Sequence, residues 1–189
     1  MARPDKKSKS VYAPAPKDQK VGRHTLAVLV NNEPGVLARV VGLFSGRGYN
    51  IDSLTVTEVN HARHLSRITV VCSGTPHVIE QIITQLERLV PVLMVNDLTL
   101  HGDCIFRELA LVRVKACTEK QIEKTGVLKK FDAHILDNTK DFCIFEATGT
   151  SEDTDKFVEA IAPLGIINIA RTGIAGIART KKSLEEKLG

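Results

Sequence analysis

From His24 onward the apolar residues switch between a period of two and a period of 3.6, and this switching restricts the chain to a small set of folds. HTLAVLVN (24–31) alternates as a buried strand, with Leu26, Val28 and Val30 on one side and Ala27 and Leu29 on the other. Leu37, Val40, Val41 and Phe44 then recur at helical spacing, which predicts a helix over about 35–45. Asn32 is its candidate N-cap, and Pro34 suits a first turn, where its missing N–H has no intrahelical partner anyway. Gly46-Arg47-Gly48 ends the helix. Strands are predicted over about 50–59 and over LSRITVVC (65–72), joined through the polar loop NHARH as a hairpin. A second helix over about 76–89 turns Ile79, Ile82, Ile83, Leu86, Leu89 and Val90 to one side, and VLMVNDLT closes the unit. The order β-α-β-β-α-β is the ferredoxin-like arrangement, a four-stranded antiparallel sheet with both helices on one face. The other face must meet water, a second sheet or a partner chain.

The same order recurs. ELALVRVKA (108–116) reads as a strand, 119–131 as a helix, AHILDNT and FCIFEATG as strands, 151–162 as a helix and IINIART as a strand, with GIAGIART adding a short extra one. The fold class is therefore α+β, two βαββαβ domains. The boundaries are a tail over 1–22, a first domain over 23–100, a linker over 101–107, a second domain over 108–180 and a tail over 181–189. The N-terminal tail has low hydrophobicity and no period, and reads as disordered because it buries too little to offset its ordering entropy.

Charge excludes several roles. Residues 1–23 carry seven basic residues (Arg3, Lys6, Lys7, Lys9, Lys17, Lys20, Arg23) against Asp5 and Asp18, whereas the whole chain has 26 basic against 22 acidic. The rest is 19 against 20, so the folded part is near neutral and offers no basic nucleic-acid face. With 4% aromatic residues and no Trp, a base-stacking platform is not expected either. No apolar run reaches the roughly 20 residues that span a bilayer. Cys72, Cys104, Cys117 and Cys143 form no metal or redox pair in sequence, and Cys72 and Cys143 sit in apolar strands as small hydrophobes. There is no apolar signal segment, so the expected compartment is the cytoplasm. Phosphate-loop, dinucleotide, zinc-protease and nucleophile-elbow motifs are all missing. His61 and His64 lie in a polar loop with no third ligand near in sequence, which reads as a solvated loop rather than a metal site.

The distinctive pair is NNEPG (31–35) and GYNID (48–52). The first sets a tight glycine-containing loop on a helix N-terminus, where backbone N–H groups and the helix dipole favour a carboxylate. Gly35 allows close approach, and the amide of Asn32 or Asn50 can meet either end of a small amino acid. Plain helix capping accounts for the same residues.

NNEPGVLARVVGLFSGRGYNIDSLTV (31–56) is very similar to the opening of the regulatory, small subunits of acetolactate synthase, also called acetohydroxyacid synthase. LSRITV (65–70), QLERLVPVLMV (85–95), RELALVRVKA (107–116) and ARTGIAGIAR (170–179) extend the resemblance over about 24–180. The resemblance implies an N-terminal ACT domain, a second ferredoxin-like domain and a homodimer formed through the ACT domains. It further implies that valine, an end product of branched-chain amino acid biosynthesis, binds where two chains meet. The contacts would come from Asn32, Pro34, Gly35, Val36 and Leu37 of one chain and Asn50 and Ile51 of the other. No catalytic or metal residue is implied. The partner is the large catalytic subunit of this transferase, which would hold thiamine diphosphate, magnesium and FAD and would be activated and feedback-inhibited through the small subunit. Leucine or isoleucine in place of valine stays open, as does the alternative of a stand-alone ACT sensor acting on another enzyme or regulator.

Overall fold

The computed structural model describes residues 20–100 and 103–179. The tails expected at 1–22 and 181–189 lie almost wholly outside that range.

The first half folds as β1 (Gly22–Asn31), α1 (Val36–Ser45), β2 (Ser53–Asn60), β3 (Leu65–Gly74), α2 (Pro76–Leu86) and β4 (Val92–Asp97). Its antiparallel sheet has the order β2-β3-β1-β4. Leu26, Val28, Val30, Ile68, Val70 and Cys72 point to the helices and build one core with Val36, Val40, Leu43, Phe44, Ile79, Ile82 and Leu86. The buried stripe of α1 is therefore 36/40/43/44, rotated from the predicted one; Leu37 is 38% exposed. The α2 helix stops at Leu86, three residues early, and Val90 is exposed rather than part of the core. Leu89 bonds back to Leu86 in a tightened turn, which swings the next residue outward.

The second half repeats the order with β5 (Cys104–Lys115), α3 (Glu119–Thr125), α4 (Val127–Lys130), β6 (His134–Asn138), β7 (Phe142–Gly149), α5 (Ser151–Ile161) and β8 (Ile166–Arg171), in the spatial order β6-β7-β5-β8. The single helix predicted over 119–131 is broken at Gly126, whose backbone is left-handed. Val112, Val114, Cys143, Phe145, Ala147, Phe157 and Ile161 form this domain's core.

Residues 104–107, read as linker, are strand. They pair with β9 (Ala175–Ala178), the extra strand that the sequence suggested. Cys104 and Ala178 are partners 74 residues apart, a non-local pairing that no local pattern announces. This ribbon settles what meets the helix-free face of the first sheet. Thr25, Ala27, Leu29, Thr69 and Val71 on that face are all buried, as are Leu98 and Ile174 beside them. The β1 strand is thus covered on both sides, which explains an apolar run without polar alternation.

Candidate functional site

The chain leaves β1 into an elbow stitched by backbone bonds. Asn32 N–H donates to His64 O (2.7 Å), Glu33 N–H to Asn31 O (2.9 Å) and Val36 N–H to Glu33 O (3.2 Å). The N-cap of α1 is Gly35, not Asn32. Its φ of +81° lies in the left-handed region, which a side chain with a Cβ enters only under strain. No side chain caps this end and no acidic residue stands in the first turn. The N–H groups of Leu37 and Ala38 therefore have no intrahelical acceptor, and a helix start presents such donors to an anion. Asn32, Pro34, Gly35 and Leu37 are exposed, and Val36 is buried beneath them as the first core residue of the helix.

The hairpin between β2 and β3 closes on the same elbow. Its Glu58 carboxylate meets the Asn32 side chain and bonds His61 Nδ1 at 3.0 Å, and the His61 and His64 rings lie 6.1 Å apart. The bond from His61, seconded by its charge and by Asn32, lowers the Glu58 pKa; the bond from Glu58 raises that of His61. Glu58 escapes a reading of the sequence because only the strand order carries it to the elbow: it pairs with Ser66, which pairs with Val30. The loop is solvated, with the His61 side chain 90% exposed, and is also fastened to the candidate site through Glu58.

Asn50 and Ile51 sit elsewhere. Asn50 donates to Asp52 Oδ1 (2.7 Å), and Asp52 Oδ2 receives the Ser73 hydroxyl (2.9 Å). Ile51 is half-buried against the core, and the exposed Asn50 follows Tyr49, whose ring meets Phe44 edge-on. Asp52 N–H bonds Val71 O, whereas Asn31 pairs with Leu65, so the two halves of the motif lie six register steps apart along β3. At about 3.3 Å per residue that is roughly 20 Å. One chain does not bring Asn32–Leu37 to Asn50 and Ile51.

Among the described residues, nothing else converges as a reaction centre would. Burial pushes the thiols of Cys72 and Cys143 up to about 11, so they stay protonated. Among the described residues, no His/Cys/Asp/Glu group has metal-binding geometry and no helix is long and apolar enough to cross a membrane. A cavity of about 460 Å³ is lined by Lys129, Phe131 and Phe157 of the second domain, and another of about 390 Å³ lies between the domains.

Two family models match. Residues 26–94 match the "AHAS small subunit-like ACT domain" and residues 107–180 the "Small subunit of acetolactate synthase". A probable acetolactate synthase small subunit of Archaeoglobus fulgidus is 42% identical over 85% of this chain and 99% of its own length. The acetolactate synthase isozyme 3 small subunit of Escherichia coli is 40% identical, with 85% of this chain and 98% of the relative covered. The crystal structure of the acetolactate synthase small subunit from Thermotoga maritima superposes with a TM-score of 0.76 at 33% identity, covering 85% of this chain and 99% of that one.

Proposed function

The chain belongs to the acetolactate synthase small-subunit family, and from that premise we propose that it binds valine between two ACT domains and so activates and feedback-inhibits the large catalytic subunit. The observation that carries this reading is the separation within one protomer of two complementary half-sites. An uncapped helix start suits a carboxylate, and an exposed asparagine waits at the far end of the same sheet. A second copy placed two-fold sets the elbow of one chain against Asn50 of the other and completes the site twice. Leu37, Val56 and Val59 are exposed apolar residues on α1 and the edge strand β2, the surface such a copy would cover. Thiamine diphosphate, magnesium and FAD are assigned to the catalytic chain in this reading, and this chain supplies regulation alone.

Calorimetry with valine, leucine and isoleucine, paired with turnover of the catalytic chain with and without this one, tests the proposal. The expected outcome is valine heat at one site per chain, raised turnover on mixing, and suppression of that gain by valine. A silent titration together with unchanged turnover rejects it.

The Glu58–His61 contact adds a pH dependence. Glu58 is held ionised and His61 protonated, so the pair is complete below the raised His61 pKa and above the lowered Glu58 pKa. As pH rises through the His61 pKa the attraction is lost and the Asn32 elbow loosens. Valine affinity is expected to fall by about two- to threefold between roughly pH 6 and pH 9, a small change because the pair is exposed. His61→Asn should flatten that profile, read by calorimetry across the range.

A further inference from the structure

ARTGIAGIAR (170–179) is a long motif of the resemblance that takes no part in the effector site. In the fold it is the strap that crosses from the second domain onto the helix-free face of the first. Thr172 is a shared node. Its N–H donates to Leu109 O (3.1 Å) and its hydroxyl accepts from Leu109 N–H (3.1 Å), both in the second domain. Its carbonyl accepts from the Thr55 hydroxyl (3.2 Å) in the first. Arg67 of β3 reaches further along and donates to Gly176 O. At two glycines the strap lies close against its neighbours. A Cβ built on Gly173 would stand 2.6 Å from Ser53 Oγ and 2.8 Å from Thr55 Oγ1; one on Gly176 would stand 2.8 Å from the Phe106 ring and 2.9 Å from Leu98. At both glycines neighbouring side chains lie against the strap's bare backbone, and Gly173, with a φ of +80°, is also in the left-handed region that favours glycine.

We propose that this strap transmits effector binding from the ACT domain to the second domain, through the contact of Ser53 and Thr55 with Thr172 and Gly173. The inference rests on the valine reading above. Asn50, the ligand-facing asparagine of that reading, lies three residues before Ser53 at the start of the same strand. A shift of that strand end presses directly on Gly173, and close-packed groups pass displacement on rather than absorb it. The strap cannot take up the movement on its far side, because the next residue back, Arg171, is bound to Glu108 through two bonds of 3.0 and 2.7 Å. Room for a second arrangement exists. The cavity of about 390 Å³ between the domains is walled by Arg23, Asp52 and Ser53 on one side and Arg171, Thr172 and Gly173 on the other. Coupled sites need an element with two positions that both sites bias, and a strap beside an open cleft meets that need.

Thr55→Val removes the hydroxyl that bonds Thr172 and keeps the shape of the side chain. In the complex of both subunits, the expected result is valine heat within about twofold of wild type, full activation without valine, and inhibition that needs at least about fivefold more valine, within the ordinary range of allosteric coupling. Amide exchange over 172–178 should slow on valine addition in the wild type and stay unchanged in the variant. Arg67→Gln, removing the second tether, should act in the same direction. Normal inhibition in both variants, or strap exchange indifferent to valine in a wild type that binds it, overturns the proposal. A wild type that gives neither heat nor inhibition with valine instead overturns the effector reading, and this inference with it.

Discussion

Asn32→Ala and Asn50→Ala each weaken the valine response by roughly ten- to hundredfold while the variant chains still activate the catalytic subunit. The size follows from losing a hydrogen bond to a charged ligand group, about 1.5–3 kcal/mol. Neither exposed side chain contributes to the cores, so folding should be unchanged. The geometry adds a sharper expectation. The two asparagines lie at opposite ends of one sheet, so each proposed site draws one from either chain. A heterodimer of the two variants then has one site with both asparagines missing and one fully intact. Unfolding and refolding an equal mixture should restore tight binding to about a quarter of the sites, since half the dimers are mixed and each has one good site. Calorimetry on the refolded mixture reads this directly. A site contained in one chain gives no recovery at all.

Arg171→Met is expected to destabilise the second domain by about 3 kcal/mol. Glu108 is 6% exposed, and among the described residues its carboxylate takes two charged bonds from this guanidinium and one from the Ser151 hydroxyl (3.1 Å). Removing one partner of a nearly buried pair strands the other charge. Arg171 is itself a third exposed, which keeps the loss at the low end of the range. Replacing Glu108 by Gln in the same chain should recover most of the stability, because a neutral amide there has no charge to strand. Urea denaturation of the single and double variants checks both statements. A single variant as stable as the wild type would show that water already compensates Glu108.

Several elements are legible in the amino-acid sequence alone. The β1 strand, the 65–74 strand and the helix that starts at Pro76 each announce themselves through local apolar spacing, and the second βαββαβ domain repeats the order with different residues. The boundaries of β2 and of the broken α3–α4 pair were less sharp, because edge strands and a left-handed glycine inside a helical pattern perturb the period only weakly. At the candidate site, the positions of Asn32, Gly35 and Asn50 came from a contiguous motif, but the roles did not all follow. Gly35 takes the cap position that Asn32 was expected to fill, because a left-handed residue there closes the turn without a side-chain oxygen. Leu37 faces outward because the stripe turned to the core is Val36, Val40, Leu43 and Phe44.

The amino-acid sequence alone determined the two βαββαβ domains, the elbow at 31–35 and the family resemblance, since each is written in residues close together along the chain. Only the tertiary structure decided that Glu58 and His61 close on the elbow, that the half-sites stand apart within one protomer, and that residues 172–178 roof the ACT sheet. Those outcomes depend on strand order and on pairings as distant as Cys104 with Ala178. Periodicity shows which face of an element is apolar; what covers that face is chosen by the whole chain folding at once.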